Sequence, residues 1–389
     1  SLKRITDRFL CPRNLSCFSN SRSNFLQSVA SWNAFYMAYC KCYNFGLGDR
    51  GLLSKQRKTL IQLASKGCVR LNGMDRNISR KSFLWLCAAS ALSACTRRHD
   101  FSILDIDAET RYPPLGEIEL VNDLNFHSFV TGSGSQSIIF IHGANINLRD
   151  WVFANSKIIQ THYKSIYVDR PGFGYSERPN SSWSAAKQAE QIRKFTQLNN
   201  INEPILVGHS WGSLVALEWI LAHPDEVKGF VSVSGVNSSF GTITEVMSEI
   251  GIFNVAVEIY SRNLAKNVSA GSIERFAKRV FSPQKVPEKY LEFVGPDLSR
   301  RQKTILANNE DLKQTASTLA NLEKRYSEIR VPVEVIHGKK DWLLDHEMHG
   351  QAFADKLPLS NLTLLDGVGH MAHHASPYAV NKAIERIID

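Results

Sequence analysis

From residue 116 onward, short apolar runs alternate with stretches of helical periodicity. The runs Glu117–Val121, Phe126–Thr131, Ser137–Ile141, Ser165–Asp169, Pro204–Val207, Gly229–Ser234, Val331–Ile336 and Leu362–Leu365 read as strands. Strands of this length separated by helical patterns predict an α/β fold, with a mostly parallel sheet flanked by helices on both faces. Between the sixth and seventh strands lie about 95 residues, far more than a simple connection needs. Within them Ile243, Val246, Met247 and Ile250 follow the i, i+3, i+4, i+7 rule, Val257 extends that face, and further helices are expected over Ser272–Phe281, Glu288–Phe293 and Arg300–Leu322. The pattern divides the chain into a first core part, 96–236, a helical cap inserted after strand 6, 237–328, and a second core part, 329–389.

Charge changes the picture only at the front. Residues 1–73 carry 12 basic and 2 acidic side chains, whereas the remaining 316 carry 34 basic and 35 acidic, so the formal charge of +9 belongs to the opening segment. The folded part is near neutral and has no basic helix or zinc-finger spacing, which argues against nucleic acid as a partner. All seven cysteines, Cys11, Cys17, Cys40, Cys42, Cys68, Cys87 and Cys95, precede residue 96, which excludes a disulfide framework or cysteine-ligated zinc site from the main domain.

Residues 74–95 combine a charged start, an apolar run from Phe83 to Leu92 and a small-residue end, the pattern of a secretory signal peptide. A ten-residue apolar run is about half of what a spanning helix needs. Leu92-Ser93-Ala94-Cys95 resembles the lipobox of bacterial lipoproteins, which implies a lipidated Cys95 and a membrane-anchored, exported protein facing the periplasm. With Met74 as the natural start, residues 1–73 are expected to be an upstream or disordered extension. Their Arg- and Ser-rich, acid-poor opening also fits an organellar transit peptide.

Gly208-His209-Ser210-Trp211-Gly212 lies between the apolar run Ile205-Leu206-Val207 and a helix-like stretch, placing Ser210 at a sharp strand-to-helix joint. Four further strand ends carry content: His142-Gly143-Ala144-Asn145, Asp169-Arg170-Pro171-Gly172-Phe173-Gly174-Tyr175-Ser176, Gly338-Lys339-Lys340-Asp341 and Gly367-Val368-Gly369-His370. Gly-x-Ser-x-Gly alone occurs by chance; these five landmarks in order resemble the α/β-hydrolase superfamily over roughly residues 112 to 389, and nucleophile, acid and histidine follow its order. The resemblance implies Ser210 as nucleophile, His370 as general base and Asp341 as the carboxylate that orients it. It also implies an oxyanion hole from the backbone N–H groups of Trp211 and Ala144, and a cap that roofs the cleft and selects the substrate. Asp345, one helical turn onward, is the competing acid. His373 and His374 lie close enough to compete with His370.

The glycines of 169–176 lack the ending of a P-loop and the spacing of a dinucleotide fingerprint, so no cofactor is expected. His346 and His349 share a helix-like face without a third ligand, so no metal is expected and the pair reads as solvated surface. His142 reads as structural. Ser210 argues against haloalkane dehalogenases and epoxide hydrolases, which place an aspartate at the elbow. Asp169-Arg170-Pro171 departs from the Asp-Gln-Arg of proline iminopeptidases, although Ser210-Trp211-Gly212-Ser213 is similar to theirs. The expectation is a carboxylesterase cleaving a small or medium ester through an acyl-enzyme. Carbon–carbon bond hydrolases, cofactor-free haloperoxidases, an iminopeptidase-like peptidase and a non-catalytic binding homologue are the alternatives.

Overall fold

The computed structural model describes residues 107–156, 163–179, 182–239 and 270–389, all within one unit spanning His99–Asp389. The extension 1–73, the signal-like segment 74–95 with Cys95, and the expected face formed by Ile243, Val246, Met247, Ile250 and Val257 lie outside the described residues.

Eight strands form one sheet: β1 (Glu117–Val121), β2 (Leu124–Thr131), β3 (Gln136–Ile141), β4 (Tyr163–Val168), β5 (Ile205–His209), β6 (Gly229–Val233), β7 (Val333–Gly338) and β8 (Ser360–Leu365). Their spatial order is β1-β2-β4-β3-β5-β6-β7-β8. Only the pairings of β2 with β1 and β4 are antiparallel. The β1–β2 hairpin closes on Asn122 and Asp123, both left-handed at φ 51° and 60°, a conformation that short polar side chains tolerate in two-residue turns. The other neighbours run parallel, with Ile138 beside Ile205 and Ile205 beside Gly229.

Period-two alternation within the apolar runs feeds two cores, one on each face of the sheet. Ile139, Ile141, Ile166, Val168 and Leu206 pack with α2 (Ala185–Leu198) and α3 (Gly212–Ala222). Ile138, Phe140, Tyr167, Ile205, Val207, Val231 and Val233 pack against α1 (Arg149–Asn155) and the C-terminal α10 (Pro377–Ile388). Helix α2 starts where Ser184 Oγ accepts from Lys187 N, an N-cap. Helix α3 is buried nearly all round because α2 covers its outer side.

After β6 the described part of the insertion comprises α4 (Ala270–Phe281), α5 (Tyr290–Val294), α6 (Pro296–Arg300) and α7 (Gln302–Leu322). The helix expected over Arg300–Leu322 is observed as α7, which starts two residues later, at Gln302. Arg301 is extended (φ −59°, ψ 142°), and its buried guanidinium bonds to Leu298 O at 3.0 Å, Glu109 Oε1 at 2.6 Å and Gly174 O. Leu319 and Leu322 join α7 to the core on the α3 side. Past β7, a π-helical turn, Glu347–Gln351, leads into α8 (Ala352–Ala354), and α9 (Ala372–Ala375) precedes α10.

His349 departs from the expected solvated pair: it is 1% exposed. Its Nδ1 accepts from Asn237 N and Ser238 N, each at 3.2 Å, so it pins the chain as it leaves β6. Asn237 Nδ2 donates to His349 O at 3.0 Å. An acceptor Nδ1 cannot carry a proton. Burial first, and neighbouring His337 second, push this imidazole down to about 4. Above pH ~6.5 His349 is neutral folded and unfolded; as pH falls from there the unfolded chain takes up the proton and the folded chain resists until about 4. Stability is therefore lost across that window as pH falls. Urea unfolding of His349→Gln, which keeps an acceptor but cannot titrate, is expected to lose about 2 kcal/mol less than wild type between pH 7 and pH 5. Equal losses would show that His349 is not the titrating group.

Candidate active site

The chain turns most sharply at the end of β5. Ser210 is left-handed, at φ 51°, and backbone bonds fix it: its N–H donates to Val233 O at 3.1 Å, and its carbonyl accepts from Ser213 N and Val236 N, both at 3.1 Å. The flanking glycines are needed for space. A Cβ on Gly212 would lie 2.4 Å from Ile141 O, and one on Gly208 2.8 Å from Ser213 Cα. Ser210 is 7% exposed, and Gly143 packs directly against it, a Cβ there falling 3.1 Å from Ser210 Cβ.

His370 follows β8 in the loop 366–370. Its Nδ1 donates to Asp341 Oδ2 at 2.8 Å. The other oxygen, Oδ1, accepts from Leu343 N at 2.9 Å and Leu344 N at 3.0 Å, and His337 Nε2 stands 3.2 Å from Oδ2. Burial alone would raise the Asp341 carboxyl; the neighbouring His370 and the bonds from His337 and His370 outweigh it and hold Asp341 below the usual carboxylate range. Asp345 faces elsewhere, with Oδ1 accepting Glu347 N and Met348 N at a helix start.

The imidazole that sequence reading passed over is His209, inside the elbow itself. Its Nε2 donates to His370 O at 3.3 Å, and its ring centre lies 5.0 Å from that of His370 and 4.2 Å from that of His373. Burial, then His373 and His370, push it well below its ordinary value, so it is neutral. His209 thus ties the residue preceding Ser210 to the backbone of His370. Ser210 makes no side-chain hydrogen bond among the described residues.

His373 and His374 do not compete for Asp341. Their Nε2 atoms donate to Asp150, at 2.9 and 2.8 Å, and Tyr290 Oη donates to the same carboxylate at 2.8 Å. Against burial, which alone would raise it, the two histidines hold Asp150 well below its usual range; burial pushes His373 down to about 4. Among the described residues this trio is the group with ligand atoms close enough for a metal, all within 4.8 Å of one another. Its contacts are of hydrogen-bond length, and the buried His373 Nδ1 has no partner to support ligation.

The loop after β3 forms the other wall. Arg170 N donates to His142 Nε2 at 3.0 Å, so the His142 proton sits on Nδ1, which donates to Gly143 O at 2.8 Å. Burial, with Arg170 next, pushes His142 down to about 3, and it stays neutral. The Arg170 guanidinium, wholly buried, donates through Nε to His142 O at 3.0 Å and through Nη2 to Gly143 O at 2.9 Å. A planar trans peptide points its N–H opposite its carbonyl. With Gly143 O turned to Arg170, the Ala144 N–H is turned away from it. Neither the Ala144 nor the Trp211 backbone N–H has an acceptor among the described residues. The site therefore joins a serine on a strained turn, a carboxylate-oriented imidazole and two free amides on the carboxyl-end loops of a parallel sheet, where such sheets carry their chemistry.

Comparison with known proteins agrees with this architecture. The family model described as alpha/beta hydrolase fold matches residues 136–377. An uncharacterized protein of Mycobacterium tuberculosis is 26% identical over 291 residues, covering 71% of this chain and 82% of the relative. The structure is similar to a bromoperoxidase from Bacillus anthracis (TM-score 0.57, 18% identity, 70% of this chain and 99% of that one). It is also similar to an esterase from Exiguobacterium antarcticum (TM-score 0.55, 19% identity, 70% and 98%). On the sheet order, the elbow and the matched span together, the chain belongs to the α/β-hydrolase fold family.

Proposed function

We propose that this chain is a serine hydrolase, a carboxylesterase acting on small or medium esters through an acyl-enzyme. The observation that carries the reading is the 2.8 Å bond from His370 Nδ1 to a buried Asp341, on the same sheet edge as the left-handed Ser210. Asp341 fixes the tautomer that leaves Nε2 of His370 bare, the form a general base requires. His370 takes the Ser210 proton as Oγ attacks the ester carbonyl; the C–O bond to the alcohol then breaks, and the alcohol leaves with that proton. Water repeats the sequence on the acyl-enzyme and frees the acid and Ser210. At each tetrahedral stage the Ala144 and Trp211 N–H groups face the negative oxygen, and their stabilisation acts where charge develops.

A panel of p-nitrophenyl esters of graded chain length, run beside an amino-acid arylamide and a vinylogous diketone, tests the reading. Ester turnover is expected to dominate, and turnover confined to the diketone or arylamide would reject the carboxylesterase. Ser210→Ala should lower kcat by roughly 10⁴ to 10⁶-fold and abolish fluorophosphonate labelling, while Asp341→Asn should cost about 10³ to 10⁴-fold. Asp345→Asn should leave turnover within a few-fold of wild type; if it is the damaging change, the acid is misassigned.

No helix among the described residues is long and apolar enough to cross a membrane. The segment 74–95 supports export with Cys95 as the lipidated residue, and Cys95→Ser is expected to abolish incorporation of labelled palmitate in a bacterial host. Undiminished labelling, or an unaltered membrane-bound fraction, would remove the anchor.

A further inference from the structure

Helix α7 carries three polar residues on one face, Asn308, Asp311 and Thr315, spaced three and four apart so that they line up along the helix. Each meets a different part of the wall that faces Ser210. Asn308 Oδ1 accepts from Asn145 N at 2.8 Å, one residue beyond Ala144. Asp311 Oδ2 accepts from Arg170 Nη1 at 2.6 Å, and Arg170 in turn holds the carbonyls of His142 and Gly143. Thr315 Oγ1 accepts from Trp211 Nε1 at 3.0 Å and donates to Asp311 O at 3.1 Å. The Arg170 guanidinium also lies over the Trp211 ring, 4.5 Å from its centre, with Phe173 beneath at 4.2 Å.

We infer that the Asn308–Asp311–Thr315 stripe, working through Arg170 and the Trp211 indole, sets the direction of the Ala144 and Trp211 N–H groups, so that the insertion positions the oxyanion hole. This rests on the serine-hydrolase reading above. The three are positioning residues, since none reaches Ser210. Their leverage follows from rigidity: a Trp211 indole tethered at Nε1 and stacked on a buried guanidinium cannot swing, and a loop with both carbonyls bonded cannot turn its peptide planes. Donors that lose this support move by a fraction of an ångström, which is enough to affect a transition state more than a ground state.

The test uses the full chain, steady-state hydrolysis of p-nitrophenyl butyrate, and inhibition by an alkyl trifluoromethyl ketone, whose adduct with Ser210 is a tetrahedral oxyanion. Asn308→Leu and Thr315→Val are each expected to lower kcat roughly ten- to a hundredfold and weaken the ketone by a similar factor, with KM within about twofold. Asn308→Asp and Thr315→Ser, which keep the oxygens, should recover most of both. Ser317→Ala, on the exposed face of the same helix, should match wild type. Should Thr315→Val fail to fold, Asn308→Leu carries the test, because that side chain is only half-buried. A raised KM with unchanged kcat, a lowered kcat with full ketone affinity, or no change in either would overturn the inference. A wild type without Ser210-dependent turnover would overturn the hydrolase reading with it, whereas an active wild type with unaltered variants overturns this inference alone.

Discussion

Everything at the site depends on how closely α3 starts against the end of β3. Gly212 lies so near the carbonyls of Ile141 and His142 that a Cβ would sit 2.4 and 2.7 Å from them. No side chain fits there. That approach brings the first turn of α3 beside the 142–145 loop, and Ser210, two residues before Gly212, turns the chain into it in the left-handed region, where a non-glycine residue costs about 1 kcal/mol or more. Ser210 bears that strain because bonds to Val233, Ser213 and Val236 fix its backbone on three sides. The serine is presented by main-chain geometry, before any side-chain chemistry is considered.

A buried charge cluster supplies the second constraint. Arg170 and Asp311 have wholly buried side chains, and removing such ions from water costs several kcal/mol each unless nearly all their hydrogen-bonding capacity is met. Here it is met: Arg170 makes four bonds, and Asp311 accepts from Arg170, from Arg178 at 2.8 Å and from Gln188 at 2.8 Å. The cluster joins the 169–178 loop, α2 and α7. Deleting one partner would strand the others, so the group behaves as a unit, and its carbonyl-facing side is the loop that carries Ala144.

The strands were legible because parallel strands buried on both faces leave near-continuous apolar runs, and all eight expected runs overlap observed strands to within a few residues at the ends. The elbow was legible because glycines bracket a serine exactly where a strand meets a helix pattern. Asp341 and His370 could be named by their loops, yet nothing local separated Asp341 from Asp345. That choice depends on which carboxylate faces a histidine 29 residues away. His349 was misread for a related reason: His346 and His349 at helical spacing look like a wetted face, while burial against Asn237 and Ser238 depends on the path of a distant loop. The Arg170–Asp311 pair spans 141 residues and leaves no periodic trace. The two-residue shift in the start of α7 leaves no local trace either, since an arginine is an ordinary helix residue until its guanidinium is claimed by Glu109 and Leu298.

The insertion bonds to loops at the carboxyl ends of several strands. On the base side, Gln284 Oε1 accepts from Gly369 N at 3.0 Å while its Nε2 donates to Gly367 O at 2.8 Å, bracketing the loop that ends in His370. Ser282 O lies where a Cβ on Gly369 would fall 2.0 Å away. Trp342, next to Asp341, donates Nε1 to Arg279 O at 2.6 Å and stacks under the Arg279 guanidinium at 4.1 Å. On the opposite wall α7 holds Asn145, Arg170 and Trp211. One stretch of chain between β6 and β7 therefore bonds to the loops that carry His370, Asp341 and Ala144 and to the Trp211 indole together. A sheet edge can place the roots of these loops, but it has no atoms beyond the last strand residue with which to fix their tips. The tips of these loops are held by hydrogen bonds from the insertion.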